Sequence, residues 1–177
     1  SLEVGRVFWL TGLAGAGKTT VGRLLLQRLQ SEGRSPIFLD GDDLRKVWSD
    51  KGYTREDRLQ VSMQNARLCQ LLSKQGFDVI CATMSLFWST QEWNRAHIPN
   101  YLEIYLKVSM EDLRKRDQKG LYSRSEKGLL ENVYGVHMQV EEPQNPDILI
   151  ENTLPLNTPE LAVEKIISRS AEIQASC

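Results

Sequence analysis

The sequence predicts a three-layer α/β/α fold in which helices cover both faces of a parallel sheet of about five strands. Two observations predict it: short apolar runs alternate with stretches of helical periodicity, and a glycine-rich turn joins the first run to the first helix. Strands that alternate with helices pair in parallel, because each helix carries the chain back across the sheet. The 177 residues can bury a core and are expected to form one domain, 1–177.

The strands and helices follow from the spacing of the apolar residues. Five apolar runs are expected to be strands, namely Arg6–Leu10, Pro36–Leu39, Phe77–Ala82, Tyr101–Val108 and Ile148–Ile150. Four stretches are expected to be helices, namely Thr20–Gln30, Asp57–Gln75, Met110–Arg116 and Pro159 to about Ile173. The second is expected to carry Leu68, Leu71 and Leu72 on one side and to end before Gly76. Ser109 and Thr158 are the expected N-caps of the last two. A polar stretch at about 117–145 has no strand pattern and is predicted to be a lid.

The composition argues against several kinds of partner. The chain has 22 Lys and Arg against 23 Asp and Glu, a formal net charge of -1, which does not favour nucleic acid or an anionic membrane surface. No apolar stretch approaches membrane-spanning length. Cys69 and Cys81 lie in apolar segments and are expected to be packed thiols, and with Cys177 they form no metal or redox spacing. These features predict a cytoplasmic protein.

A complete phosphate-binding motif follows the first strand. The pattern G-x-x-x-x-G-K-[ST] is filled by Gly12, Leu13, Ala14, Gly15, Ala16, Gly17, Lys18 and Thr19, and Thr20 continues into the helix. Backbone N–H groups of such a loop point at phosphate, Lys18 can reach the β- and γ-phosphates, and the Thr19 hydroxyl can hold Mg²⁺. A turn that binds nothing is disfavoured, because a strand and a helix flank the motif as it requires. The motif predicts binding of a nucleoside triphosphate with Mg²⁺.

Two acidic residues follow the second strand. Asp40 ends the strand, where an acid commonly orders the magnesium shell, and it is a candidate metal residue, directly or through water. Asp42 could accept a proton from an attacking hydroxyl, although an Asp-Gly turn with a solvated acid is the plainer interpretation. Residues that follow parallel strands meet at one edge of the sheet. We therefore expect Thr11–Thr19, the acidic pair and Ala82–Ser85 to line one cleft.

Several cations are candidates for binding anionic groups. Arg45 and Arg58 could clamp a phosphate or a planar anion such as a carboxylate, although either one alone is more often a surface charge. The start of the predicted lid is basic, with Lys115, Arg116, Lys119 and Arg124. A basic lid could close over a triphosphate, and Arg116 is the candidate contact to ATP, whereas a solvated helix end is the alternative.

Together these clusters resemble the adenosine 5′-phosphosulfate kinase family, from about Gly5 to Thr153. The residues that carry the resemblance are Gly12–Thr19, Leu39–Arg45, Gly52–Arg58, Ile80–Ser85, Lys115–Tyr122 and Glu142–Pro146. The resemblance implies a P-loop nucleotide kinase fold and transfer of the γ-phosphoryl group of ATP to the ribose 3′-hydroxyl of a nucleotide.

The resemblance also assigns roles to single residues. It implies a catalytic group of Asp42, Lys18 and Ser85. It implies acceptor-binding roles for Asp40, Arg45, Tyr53, Arg58, Ser85, Lys119 and Leu121, with the Tyr53 ring covering the acceptor base. Members of the family often dimerise, which implies a homodimer.

Departures from the family are concentrated in the acceptor half. Val61-Ser62-Met63-Gln64 stands where the family has Asn-Ile-Arg-Arg, and Leu86-Phe87-Trp88 stands where it has Pro, an aromatic residue and Arg. Three hypotheses remain open. The chain is an adenosine 5′-phosphosulfate kinase of sulfate assimilation, a sibling kinase acting on another nucleotide such as a cytidine diphosphoramidate-like compound in surface-polysaccharide synthesis, or a nucleotide-binding regulatory protein without turnover. Trp88 is additionally a candidate for stacking on a base.

Overall fold

The structure, a computed structural model, describes residues 3–49, 52–116, 120, 124, 139–151 and 158–176. The five strands are β1 (Val7–Thr11), β2 (Pro36–Asp40), β3 (Asp78–Thr83), β4 (Tyr101–Lys107) and β5 (Ile148–Glu151). The helices are α1 (Lys18–Ser31), α2 (Gly41–Val47), α3 (Arg55–Lys74), α4 (Trp88–His97), α5 (Met110–Arg116) and α6 (Pro159–Ala175). Most of the predicted lid, and with it Lys119 and Leu121, lies outside the described residues.

The strands form one parallel sheet in the order β2-β3-β1-β4-β5. The central strand β1 pairs with β3 and β4, so that Val7 lies opposite both Val79 and Tyr101. All five residues of β1 are buried, as expected of a strand covered on both faces. The predicted fold class is therefore confirmed.

Two apolar clusters cover the two faces of the sheet. Phe8 and Leu10 of β1 pack with one cluster, which includes residues of α1 and α6. Val7 and Trp9 pack with the other, which includes residues of α2 and α3. Alternate residues of a strand point to opposite faces, so β1 contributes to both clusters. Helix, sheet and helix form the three predicted layers.

Two helices were not predicted from the periodicity. Asp40 and Gly41 form the start of α2 and not an isolated turn: the Asp40 side chain accepts a hydrogen bond from the Asp42 backbone N–H and caps the helix. Helix α4 begins at Trp88 within a segment whose apolar pattern is weak. Both helices have ten residues or fewer, too few for a clear helical pattern.

The buried face of α3 differs from the prediction. Leu71 was expected beside Leu68 and Leu72 on one side, but it is 56% exposed. The buried positions are Val61, Ser62, Asn65, Ala66, Cys69 and Ser73. Several of these side chains are polar, so the spacing of leucines did not reveal the face that packs on the sheet.

A buried carboxylate joins the N-terminal ends of three strands. Asp78, at the start of β3, accepts hydrogen bonds from Arg6 before β1 and from Arg34 before β2, and its side chain is 1% exposed. Burial opposes its ionisation, but the hydrogen bonds from Arg34 and Arg6 lower the pKa of Asp78 from 3.8 to about 2. This cluster ties together the N-terminal ends of these strands, at the opposite end of the sheet from the carboxyl ends.

Other local expectations are confirmed. Ser109 accepts a hydrogen bond from the Asp112 backbone N–H across 3.1 Å, and Thr158 accepts one from Leu161 across 3.3 Å, so both act as N-caps. Cys69 and Cys81 are free and buried. A hydrogen bond with Cys69 and burial raise the pKa of the Cys81 thiol. Both residues are therefore packed thiols, as predicted. Within the described ranges, we find no helix with the length and apolar character needed to cross a membrane.

Candidate functional site

A cleft of about 300 Å³ opens at the carboxyl ends of the strands. The phosphate loop after β1, the start of α2 after β2, and Ala82–Ser85 at the end of β3 all line it. The three segments predicted to share a cleft therefore do so. One face of α3, together with Phe87 and Leu113, completes the described walls.

The phosphate loop has the backbone that its glycines allow. Gly15 and Gly17 have φ values of 86° and 98°, in the left-handed region that residues with a Cβ rarely adopt. Gly17 directly precedes α1, so the N-terminal N–H groups of this helix face the cleft and favour an anion there. Lys18 Nζ donates to the carbonyl oxygens of Gly12 and Leu13 at 2.6 and 2.9 Å, which holds the ammonium group over the loop.

Asp40 connects the phosphate loop to α2. Its Oδ2 accepts a hydrogen bond from the Thr19 hydroxyl at 2.9 Å, and its Oδ1 accepts one from the Asp42 backbone N–H at 3.0 Å. Asp42 is exposed, lies in the first turn of α2 and lines the cleft. The structure thus brings together Lys18, Thr19 and both acidic residues.

The two candidate arginines meet on one aromatic ring. The Arg45 and Arg58 guanidinium carbons lie 4.1 and 5.2 Å from the centre of the Tyr53 ring, within cation–π range. Arg45 donates to the Gly52 carbonyl at 3.2 Å, and Arg58 donates to the Tyr53 carbonyl at 3.0 Å. Both arginines line the cleft. Tyr53 itself is 53% exposed and stands beside these two cleft arginines.

Ser85 and Arg116 lie at different depths. Ser85 is 6% exposed, lines the cleft and shares a 2.8 Å hydrogen bond with the Thr83 hydroxyl. Thr11 donates to the Ser85 carbonyl at 3.2 Å, which fixes this turn against β1. Arg116 Nη1 lies 3.3 Å from the Gly15 carbonyl, so its guanidinium reaches the outside of the phosphate loop.

Some motif residues shape the loop and do not form the described cleft walls. Gly12 and Leu13 supply carbonyl oxygens to Lys18, and Ala16 is fully buried in the core. Ala14, Gly15, Gly17, Thr19 and Thr20 are the loop residues that line the cleft beside Lys18.

Sequence reasoning overlooked most of the α3 wall. Arg58, Val61, Ser62 and Asn65 line the cleft, and their spacing of i, i+3, i+4 and i+7 places them on one helix face. The usable signal was the spacing from Arg58, because a predicted functional residue on a helix implicates the residues three, four and seven positions later. Of the departing segment 61–64, Val61 and Ser62 belong to this wall.

Trp88 binds protein groups in this structure. Its indole N–H donates to the Glu142 carbonyl at 2.6 Å, and its backbone N–H donates to the Glu141 carboxylate at 3.1 Å. Tyr105 donates to the Glu142 carboxylate at 2.7 Å, and burial, with this hydrogen bond, raises the pKa of Tyr105. Glu141 and Glu142, near the end of the predicted lid, are therefore tied to the start of α4 and to β4.

Comparisons with known proteins agree with this geometry. The family model for adenylylsulphate kinase matches residues 4–151. The chain is 39% identical over 165 residues to cytidine diphosphoramidate kinase of Campylobacter jejuni, covering 93% of this chain and 96% of the relative. It is 37% identical over 165 residues to adenylyl-sulfate kinase of Pseudomonas aeruginosa, covering 92% and 83%.

Similarity to a solved structure extends to the whole fold. The APS kinase CysC of Mycobacterium tuberculosis, solved in complex with AMPPNP and APS, superposes with a TM-score of 0.87 at 26% identity, covering 94% of this chain and 97% of that one. These matches and the phosphate loop support the same conclusion. The chain belongs to the adenylylsulphate kinase family and is an ATP-dependent phosphotransferase.

Proposed function

We propose that this protein transfers the γ-phosphoryl group of ATP to the 3′-hydroxyl of a nucleotide with an anionic 5′ tail. The observation that carries the proposal is the hydrogen-bonded connection from Thr19 through Asp40 to Asp42 in one cleft. It brings a triphosphate-binding loop and an exposed carboxylate to the same wall. Phosphoryl transfer depends on positioning and charge neutralisation, which these groups can supply.

The residues divide the reaction between them. Lys18 and the N–H groups at the start of α1 bind the β- and γ-phosphates. Asp42 accepts the proton of the acceptor 3′-hydroxyl, and the 3′-oxygen forms a bond to the γ-phosphorus. The bond from that phosphorus to the β–γ bridging oxygen breaks, and ADP leaves. Arg45 and Arg58 bind the anionic tail. Arg116 supports the phosphate loop, and Ser85 lies on the phosphate path.

The donor set beside the loop fits Mg²⁺. The Thr19 hydroxyl and the Asp40 carboxylate are hard oxygen donors held 2.9 Å apart, and Mg²⁺ prefers such ligands, often through water. The ion would neutralise phosphate charge when bound. Thr19 and Asp40 would hold the ion, directly or through water, and the capping contact fixes the Asp40 carboxylate.

A cytidine nucleotide with a diphosphoramidate tail is the acceptor that we favour. The phosphate-transfer residues are complete, whereas Val61 and Ser62 on the acceptor wall depart from the pattern of adenosine 5′-phosphosulfate kinases. A change of acceptor requires substitutions in the wall that contacts the acceptor and none in the phosphate loop, which is the pattern of differences in this chain. The cytidine diphosphoramidate kinase relative, matched along nearly its full length, supports this acceptor.

Adenosine 5′-phosphosulfate is the second candidate. The family model and the adenylyl-sulfate kinase relatives support it, and the sulfate-assimilation role would follow. The two candidates share a ribose 3′-hydroxyl and an anionic tail but differ in base and in terminal group.

A panel of acceptors tests the proposal. The protein is incubated with Mg-ATP and cytidine diphosphoramidate, adenosine 5′-phosphosulfate, or the matching 5′-monophosphates, and both ADP release and product mass are measured. We expect acceptor-dependent ADP and one added phosphate on the cytidine compound. Higher kcat/KM with adenosine 5′-phosphosulfate would select the second candidate. ATP binding without acceptor-dependent ADP across the panel would favour the regulatory alternative and contradict the kinase proposal.

A further inference from the structure

Asn65 presents a side-chain amide at the floor of the cleft. It lies on α3, is 1% exposed and lines the cleft. Its Oδ1 accepts a hydrogen bond from the Trp48 indole N–H at 2.8 Å. An indole nitrogen can only donate, so the amide atom facing Trp48 must be the oxygen. The amide orientation is therefore fixed, and the NH₂ group points away from Trp48.

The NH₂ group of Asn65 has no hydrogen-bond acceptor among the described residues. Other buried polar atoms share this property, on Trp9, Gln64, Gln91 and Asn94, but within the described chain Asn65 is the member of this set that lines the cleft. A buried donor without an acceptor is unfavourable. In a binding cleft, an oxygen of the ligand can remove that penalty.

The position of Asn65 indicates which part of an acceptor it meets. Along α3, Arg58 is half-buried, Val61 is 6% exposed and Asn65 is 1% exposed. The seven residues from Arg58 to Asn65 span about 10 Å. Asn65 is thus the more deeply buried residue, and a group that contacts it enters further into the cleft than one that contacts Arg58.

The surroundings of the amide favour an anionic group. Trp48, which holds Asn65, follows Arg45 by three residues, about one helical turn, and Arg45 lines the same cleft. Arg58, on the same face of α3 as Asn65, lines this cleft too, and cations in the cleft that holds the amide suit a charged oxygen. Tyr53 is 53% exposed whereas Asn65 is 1% exposed, so a flat base is better accommodated beside Tyr53 than at the floor.

We propose that Asn65 Nδ2 donates a hydrogen bond to a terminal oxygen of the acceptor's anionic 5′ tail, and so makes the enzyme select tailed nucleotides over 5′-monophosphates. The proposal rests on the proposed function for the identity of the acceptor. It assigns a binding contact to a residue outside the motifs that carry the family resemblance.

The test compares two variants on paired acceptors. Asn65→Ala and Asn65→Asp are assayed with cytidine diphosphoramidate against cytidine 5′-monophosphate, and with adenosine 5′-phosphosulfate against adenosine 5′-monophosphate. We expect Asn65→Ala to lower kcat/KM by about tenfold or more for the tailed acceptor and to leave the monophosphate value unchanged. Asn65→Asp keeps an oxygen for Trp48 but places a carboxylate near the tail, so its loss should be larger. Gln60→Ala, an exposed amide on the same helix, is the matched control.

Each other outcome overturns the proposal. An equal loss for tailed and untailed acceptors would assign Asn65 to the base or to the fold, and no loss would remove it from the site. Thermal melting and ATP affinity check that both variants fold, and Asn65→Asp preserves the Trp48 contact if Asn65→Ala does not fold. Calorimetric titration of tailed and untailed nucleotides into wild type and variants measures the contact without turnover. Failure of the kinase proposal would instead appear as missing ADP release in the wild-type protein.

Discussion

The Thr19 hydroxyl donates to the Asp40 carboxylate across 2.9 Å, which joins the first turn of α1 to the end of β2. The second oxygen of Asp40 caps α2 through the Asp42 backbone N–H. One carboxylate thus serves the phosphate loop and also fixes the helix that carries the proposed proton acceptor. A substitution at Asp40 that removes the charge but keeps an oxygen should therefore change metal binding more than it changes the capping of α2.

Replacing Asp40 by Asn should weaken the use of Mg²⁺. The amide keeps an oxygen that can cap α2 but loses the charge that orders the metal shell, so we expect the Mg²⁺ concentration for half-maximal activity to rise by about 10- to 100-fold. A magnesium titration at saturating ATP measures it. Asp43→Asn is the control, because its side chain is 78% exposed in the same helix turn. The same magnesium dependence in Asp40→Asn and wild type would remove Asp40 from the metal site.

Replacing Asp42 by Ala should stop transfer but spare ATP binding. The carboxylate acts on the acceptor hydroxyl, so kcat should fall by about 10²- to 10⁴-fold, whereas the ATP dissociation constant should not change. Calorimetry and coupled ADP release measure the two quantities. Lys18→Ala provides the opposite pattern, because loss of the ammonium group should weaken triphosphate binding. Equal turnover in Asp42→Ala and wild type would exclude this residue from the mechanism.

Replacing Tyr53 by Leu should raise the KM for the acceptor by about tenfold, since two cation–π contacts at an exposed site would be lost. The guanidinium carbons of Arg45 and Arg58 lie 4.1 and 5.2 Å from the ring centre, and without the ring both arginines would keep only their other contacts, such as those to the Gly52 and Tyr53 carbonyls. Tyr53→Phe keeps the ring face and should behave like wild type. If the Phe variant shows the same rise as the Leu variant, the effect belongs to the hydroxyl group and not to the ring.

Asp78 should make the stability depend on acid pH. A carboxylate with a lower pKa in the folded than in the unfolded chain adds stability above the unfolded value, 3.8, and the gain disappears as the pH falls towards the folded value of about 2. At neutral pH this difference corresponds to about 2 kcal/mol. Asp78→Asn should lose about that much free energy of unfolding at pH 7 and little at pH 2.

Urea unfolding across this pH range measures the effect. The ATP affinity of Asp78→Asn is the control, because Asp78 begins β3 while the cleft lies at the other ends of the strands. A variant with the wild-type pH dependence would show that another carboxylate controls acid stability.

The phosphate loop was predictable because its parts are contiguous. Gly15, Gly17, Lys18 and Thr19 are neighbours in the chain, and the strand and helix around them follow from local apolar spacing. The acidic pair after β2 was predictable for a related reason, since the carboxyl ends of parallel strands meet at one edge. Helix α2 was not, because its seven residues leave little periodic signal and its cap, Asp40, was interpreted as a metal residue. The equally short α5 was predicted from its Ser109 cap.

The α3 wall of the cleft depended on tertiary contacts. Asn65 lies seven residues after Arg58 and seventeen after Trp48, and no local pattern indicates that an indole would fix its amide. Tyr53 was predicted to cover the acceptor base, and its contact with both arginines was not predicted, because it arises where the loop before α3 folds back on α2. The homodimer, the single-domain boundaries and the lid stay predictions.

The sequence by itself determined the fold class and the phosphate loop, because backbone conformation and apolar periodicity depend on residues that are close together in the chain. The residues that it indicated for phosphoryl transfer stay predictions. Only the tertiary structure decided which side of α3 faces the cleft, where Asp40 directs its two oxygens, and which buried amide lacks an acceptor. Those properties arise when side chains from distant segments are brought within hydrogen-bond distance and excluded from water.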